Sequence, residues 1–309
     1  MTKYIVSGYI GFDNFGDEAI AHVLSDKLKS EGAECVTLIS SNPEKTSEIH
    51  GVDSCGMFKF LPSLIKSDVL ISGGGSLLQD VTSLKSLIYY LGVIYSALFF
   101  GKEVEIFAQG IGPINSKIGQ VLTKFALKRA KKISVRDSKS QELLKSWGMN
   151  SELVKDPIFG IEVKKSENYD TVGIQLRGVN KGLSAEFLNR LADTVIKYFA
   201  DKKIVILSLQ DSLDSAVCEE FSRILKTKNI DSEVLNSLDV NQVIERICNL
   251  EYLISMRFHS NVIAIKAGVK TLAINYDPKV EKLAEEYNLP CINLNQGDFS
   301  KEFDQLKSR

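Results

Sequence analysis

The sequence predicts an α/β protein built as two doubly wound, parallel-sheet domains facing a central cleft. Three observations carry that expectation. Short apolar or β-branched runs alternate with longer helical patterns along the whole chain. The alternation lapses at a polar stretch, Val163 to Asp170, and then restarts, which divides the 309 residues into halves of similar size, 1–165 and 166–309. Glycine-rich or charged turns follow strand after strand, at the carboxyl ends where parallel α/β sheets bind ligands.

Taken in order, Lys3 to Ser7 is the first strand, and Gly8 to Glu18 a glycine-rich loop that opens a helix from Glu18 to Glu31. The loop is not G-x-G-x-x-G. Its acids disfavour a pyrophosphate and favour sugar hydroxyls, so Asp13, Asn14, Asp17 and Glu18 are candidate substrate contacts, with Asp17 alternatively an N-cap. Glu34 to Ile39 is the second strand, followed by a polar loop. Asp68 to Ser72 then enters Gly73-Gly74-Gly75-Ser76, where the backbone can approach a ligand closely; Gly74, Gly75 and Ser76 are the candidates. Ser86 to Gly101 carries no charge but is shorter than the roughly 20 apolar residues of a membrane span, so it reads as a buried or interface-facing helix. The strand Glu103 to Gln109 ends in Gly110-Ile111-Gly112-Pro113, adding Gln109, Gly110 and Gly112. A basic helix follows from Ser116 to Lys132, its Lys128, Arg129, Lys131 and Lys132 read as a solvated face. Ile133 to Val135 is a strand with Arg136 directly after it. A helix to Trp147 and the segment Leu153 to Phe159 close the first half.

The second half runs strand Thr171 to Leu176, Arg177-Gly178, helix Ser184 to Ala200, strand Lys203 to Leu209, helix Ser212 to Lys228, strand Ser232 to Leu235 and helix Val240 to Asn249. The strand Tyr252 to Ser255 leads through Arg257 and His259 into a helix opening at Ser260. Thr271 to Ile274 leads through Asp277 to a helix carrying Lys279. Arg257, His259 and Lys279 therefore sit at successive strand-to-helix turns, and the helix start behind Ser260 suits a phosphate or carboxylate. Phe299 to Leu306 is expected to pack back on the first half as a helix.

A formal net charge of −1 gives no bulk attraction to nucleic acid or to an anionic membrane, so anion binding must come from local charge. The five cysteines are dispersed, without metal-ligand spacing, and no metal is expected. Met1-Thr2-Lys3 leads straight into a strand without a secretion signal, so the cytoplasm is the expected compartment. His22, in a helix, and His50, in a polar loop, read as structural.

Six ordered motifs, Gly8-Tyr9-x-Gly11 through Asn14-x-Gly16-Asp17-Glu18-Ala19, Gly73-Gly74-Gly75-Ser76-Leu77-Leu78-Gln79-Asp80, Gln109-Gly110-Ile111-Gly112-Pro113, Val135-Arg136-Asp137, Met256-Arg257-x-His259 and Tyr276-Asp277-Pro278-Lys279, resemble the polysaccharide pyruvyl transferase family. The resemblance spans nearly the whole chain. It implies two Rossmann-like domains similar to the B-type glycosyltransferase fold, with the glycine-rich half on the acceptor side and the Arg-x-His and Asp-Pro-Lys half on the donor side. It also implies transfer of a pyruvyl group from phosphoenolpyruvate, with no cofactor, to paired hydroxyls of an aminosugar. That sugar, often an N-acetylmannosamine, belongs to a cell-surface polymer or its lipid-linked precursor, and the product is a cyclic ketal. A lipid-linked acceptor would favour contact of Ser86 to Gly101 with the inner face of the membrane. Family residues carry over onto Arg136, His259 and Lys279, with Arg257 beside them.

The chemistry wants such groups. Phosphoenolpyruvate presents about three negative charges within a few ångströms, matched by Arg136, Arg257 and Lys279, with Arg177 and Ser260 as further contacts. His259 is the histidine placed to protonate the enol carbon. For the base that takes a sugar proton, Asp13, Asp17, Glu18 and Asp277 stay open, Asp277 alternatively capping a helix. Two other readings remain at this stage: a nucleotide-sugar-dependent glycosyltransferase, and a glycan-binding protein without catalysis.

Overall fold

Within each half of the chain the strands all run parallel, so each helix must cross back over the sheet and both sheet faces are covered. The computed structural model describes residues 1–81, 83–165, 170–178 and 183–309. It divides into two compact units, Met1–Gly160 and Ile161–Arg309. Half of the polar stretch read as a linker, 166–169, lies outside the described residues.

The first unit contains β1 (Lys3–Ser7), α1 (Phe15–Ser30), β2 (Cys35–Ile39), α2 (Pro43–His50), β3 (Asp53–Cys55), α3 (Met57–Lys66) and β4 (Val69–Gly73). It continues with α4 (Leu84–Phe99), β5 (Glu103–Gln109), α5 (Lys117–Leu127), β6 (Lys132–Val135), α6 (Ser138–Ser146) and β7 (Glu152–Leu153), ending in a 3-10 turn at Pro157–Gly160. The seven-stranded sheet has the order β3-β2-β1-β4-β5-β6-β7. The chain winds outward from β1 in one direction and from β4 in the other, so the topological switch lies between those two strands. Every residue of β4 is buried, as expected of a central strand covered on both faces.

The segment after β2 is not the loop the sequence suggested. It forms α2, β3 and α3: Pro43 stands in the first turn of α2 behind the Asn42 cap, and His50 ends that helix as a buried residue.

The second unit contains β8 (Thr171–Gln175), α7 (Ala185–Phe199), β9 (Lys203–Leu207), α8 (Asp211–Thr227), β10 (Ser232–Leu235) and α9 (Val240–Cys248). After these come β11 (Tyr252–Ser255), α10 (Phe258–Ala267), β12 (Lys270–Asn275), α11 (Pro278–Glu286), β13 (Cys291–Asn293) and α12 (Ser300–Ser308). Its six strands are ordered β10-β9-β8-β11-β12-β13, with the switch between β8 and β11. Helix starts are set locally: Ser184 accepts the Phe187 N–H at the head of α7, and Asp239 with Gln242 makes a reciprocal capping box on α9.

The final helix corrects a second expectation. α12 does not belong to the first unit: Phe299, Phe303 and Leu306 are fully buried in the core of the second, with Phe187 and Phe199 of α7 and Tyr252 of β11. The Phe187 and Phe299 rings meet edge to face at 5.7 Å. Phe303→Ala should therefore destabilise the second unit by about 3 to 5 kcal/mol, read as an earlier unfolding transition in urea. An unchanged transition would mean that the helix is dispensable to that core.

Candidate functional site

In the first unit the turns after β1 and β4 flank the switch point, and both are glycine-rich. Gly74 and Gly75 have φ of +69° and +64°, a conformation that disfavours side chains. A Cβ on Gly74 would also run into Ile20 of α1, and one on Gly75 would lie 2.8 Å from Asp17 Oδ1. The strand end is therefore pressed against the start of α1, and Gly8, Tyr9, Asp17 and Gly73 to Gly75 line one small hollow there. Partial burial and then the charge of Asp17 push the Tyr9 phenol up from its ordinary value.

The acidic loop residues take different places. Asn14, not Asp17, caps α1, accepting the Gly16 N–H at 3.1 Å. Asp13 is exposed and pairs with Lys45 at 2.7 Å. Glu18 is buried, accepting the Gly11 N–H at 2.7 Å and meeting His50 Nε2 at 3.0 Å. His50 thus fixes the glycine loop through Glu18, a link between positions too far apart in sequence to read.

Farther along the same edge, Ser76 and Arg136 come together, the guanidinium donating to Ser76 Oγ at 3.3 Å. Arg136 also pairs with Asp156, and both side chains are largely buried. A Cβ on Gly110 would lie 2.6 Å from Ser76 Oγ, so the turn after β5 closes on that after β4. Gly112, at φ +83°, follows in the same turn. Gln109 is fully buried, and its amide donates to Ser72 Oγ at 3.1 Å.

In the second unit the turn after β11 holds Arg257 and His259. Arg257 is buried: Nε and Nη2 donate to the two carboxylate oxygens of Asp214, each at 2.8 Å, and Nη2 also reaches Gln210 Oε1 at 3.1 Å. Its backbone N–H donates to Gln175 Oε1 at 2.9 Å. This side chain, expected among the ligands of a donor phosphate, is thus engaged within the protein. Nearby burial pushes the Cys218 thiol up to about 12, so it stays protonated. Ser260, likewise expected at the ligand, is buried against Ser255 Oγ at 2.6 Å and the Arg257 carbonyl at 2.8 Å.

His259 stands half-buried in the first turn of α10, which begins at Phe258, earlier than expected, and has no side-chain cap. Just after β8, Arg177 reaches Tyr276 Oη just past the end of β12, Nη1 donating at 3.0 Å. Because β11 lies between those strands, this bond spans the strand end that bears Arg257 and His259. Asp277 caps α11 through the Lys279 N–H at 2.9 Å, and Lys279 itself is exposed. Among the described residues no group of three or more His, Cys, Asp or Glu could hold a metal ion.

Asp156, Asp214, Gln210 and Tyr276 are the partners that sequence reasoning missed. For Asp214 the one available signal was an acid in the first turn of an amphipathic helix. Asp214→Ala, which leaves the Arg257 charge buried and unpaired, should cost about 3 to 5 kcal/mol, whereas Arg257→Met with Asp214→Leu should restore most of it. Equal denaturation midpoints for the single variant and the wild type would show that the pair does not hold this turn.

Comparison with known proteins agrees with this architecture. Among solved structures, the UDP-GlcNAc 2-epimerase of Methanocaldococcus jannaschii superposes with a TM-score of 0.64 at 12% identity, over 100% of this chain and 92% of that one. The UDP-GlcNAc 2-epimerase of Neisseria meningitidis bound to UDP-GlcNAc gives 0.63 at 11% identity, over 99% and 91%. MurG of Acinetobacter baumannii gives 0.51 at 12% identity, over 99% and 90%. At these identities the likeness is one of fold, that of the B-type glycosyltransferase class. Among curated proteins none matches the chain significantly in sequence. The model of the polysaccharide pyruvyl transferase family matches residues 14–278, most of the chain, and the protein belongs to that family.

Proposed function

We propose that this pyruvyl transferase takes its pyruvyl group from phosphoenolpyruvate and sets it across two hydroxyls of an N-acetylhexosamine such as N-acetylmannosamine. The acceptor is a cell-surface polysaccharide or its lipid-linked precursor, the product a cyclic ketal, and the compartment the cytoplasm. In the reaction the donor's methylene carbon gains a proton and becomes a methyl group. Two sugar oxygens bond to the neighbouring carbon as its bond to the phosphate oxygen breaks. Of the two hydroxyl protons, one balances the new methyl group and the other leaves with the phosphate.

The observation that carries this reading is the turn after β11. His259 occupies the first turn of a helix whose start has no side-chain cap. The neighbouring strands bring Arg177 on one side and Lys279 on the other. A helix start and two cations suit a carboxylate and a phosphate, and an imidazole is matched to proton transfer near neutral pH. Arg257 then acts as a positioning residue, holding the turn through Asp214. In the first unit Arg136 is the charged candidate at the strand ends, and the glycine turns take the sugar. Of the candidate bases, Asp17 lines the hollow beside Gly75.

With phosphoenolpyruvate and a lipid-linked or synthetic N-acetylmannosamine-containing disaccharide, phosphate release should require both substrates. His259→Ala should lower kcat by about 10²- to 10⁴-fold with an unchanged melting temperature. Lys279→Ala should act mainly on the KM for phosphoenolpyruvate. Arg136 is better tested as Arg136→Lys, because removing its charge takes away the ion-pair partner of the buried Asp156 carboxylate. Turnover of a UDP-sugar without phosphoenolpyruvate, or full activity in the His259 variant, would overturn the reading.

A further inference from the structure

Three successive helices of the first unit turn apolar side chains outward. On α5, Ile118, Val121, Leu122 and Phe125 recur at helical spacing on the solvent side, Ile118 73% and Val121 65% exposed. The inward side of the same helix is Gly119, Thr123, Ala126 and Leu127. On α3, Met57, Phe58, Leu61 and Ile65 face out, and Phe58 is fully exposed. On α4, Leu84, Ile88, Tyr89 and Phe99 do so, with Phe100 at its end. Among the described residues, the exposed large hydrophobics outside these helices and their caps are Met1, Phe12, Val81, Leu153 and Leu213.

The three stripes form one surface. Tyr89 Oη approaches Met57 Sδ at 3.1 Å, and Tyr95 Oη donates to the Leu122 carbonyl at 2.7 Å. Leu61, Phe99, Phe100 and Phe125 border a single open hollow of about 750 Å³. Contiguous apolar surface of this kind marks an interaction site.

Charge identifies the partner. The chain as a whole is balanced, with 38 Lys and Arg against 39 Asp and Glu, yet α3, α4 and α5 contain no acidic residue. Lys59, Lys66, Lys85, Lys117, Lys128 and Arg129, all exposed, lie on these helices or directly after α5. The Arg129 guanidinium stacks 3.4 Å over the exposed Phe125 ring. Nearby acids are occupied: Asp80 accepts the N–H groups of Asn115 and Ser116, and Glu103 pairs with Lys131. A second copy seated on this face by two-fold symmetry would set lysines against lysines with no carboxylate to receive them. An anionic lipid surface accepts both the aromatic side chains and the cations. Among the described residues no helix is long and apolar enough to cross a membrane.

We propose that the outer face of α3, α4 and α5 seats the protein on a bilayer containing anionic lipid, without crossing it. The claim is independent of the transfer chemistry, since vesicle binding and phosphate release are separate readouts. In co-sedimentation, the full chain should bind phosphatidylcholine vesicles containing phosphatidylglycerol at least about tenfold more tightly than phosphatidylcholine alone, and about 0.5 M salt should release it. The combined variant Phe58→Ser, Ile118→Ser and Phe125→Ser should lose about tenfold or more of that binding. Lys59→Gln with Lys117→Gln and Lys128→Gln should remove the preference for phosphatidylglycerol. Both variants should melt as the wild type does. The salt release needs no variant and stands if one fails to fold. Failure of the wild type to bind, equal binding to both vesicles, or a stable dimer that the apolar variant dissolves would overturn the proposal.

Discussion

In a sheet whose strands all run the same way, every strand-to-helix turn opens along one edge. The rest of this molecule depends on that constraint. It gathers residues from distant parts of the chain: Gly8, Gly75, Gly110 and Arg136 follow different strands of the first sheet yet share an edge, as Arg177, His259 and Lys279 do in the second. The switch point leaves a gap between diverging helices at that edge. Glycines fill the role in the first unit because α1 presses on the end of β4; in the second the gap is spanned by the bond from Arg177 to Tyr276.

Edge turns are irregular backbone, and buried polar networks hold them. Glu18 holds the Gly11 N–H with His50 behind it, while Gln175 and Asp214 together fix both the backbone and the guanidinium of Arg257. Gln175 is the last residue of β8 and Asp214 lies in α8, so the turn after β11 is referenced to two other elements. Such networks add little net stability compared with apolar packing. Their effect is geometric, because the donors meet well-defined acceptors and the turn has few other places to sit.

The sequence disclosed what is periodic and local. Fully buried strands such as β4 and β11, and helices with polar starts such as α7, stand close to where pattern put them. β3 and β13 were missed because each is three residues long, too short for a period to show. Asn14 displaced Asp17 as the cap of α1 because that helix starts earlier than its apolar pattern does. α12 packs on the second unit because Phe303 and Leu306 complete the aromatic core around Phe199, and no local signal chooses between two cores. At the site, the residue types at the strand ends were visible but their partners were not. Arg257 and Asp214 are 43 positions apart, and a guanidinium free for a ligand and one held by a carboxylate read alike in sequence.

The two units also differ in what their helices do with apolar residues. In the second, α7 buries Phe187, Leu188, Leu191, Val195 and Phe199 against its sheet, the ordinary fate of an amphipathic stripe. In the first, α5 buries Gly119, Thr123, Ala126 and Leu127 and shows Ile118, Val121, Leu122 and Phe125 to solvent. Packing cannot explain that inversion, since a helix that needed only to pack against α4 would place Ile118 and Val121 inward. Lysines without a matching acid on the same helices make the inversion a property of the surface as a whole. A fold that must collect its chemistry along the sheet edges leaves its outer helices available for a second task, and in this chain the helices of one unit carry the composition for it.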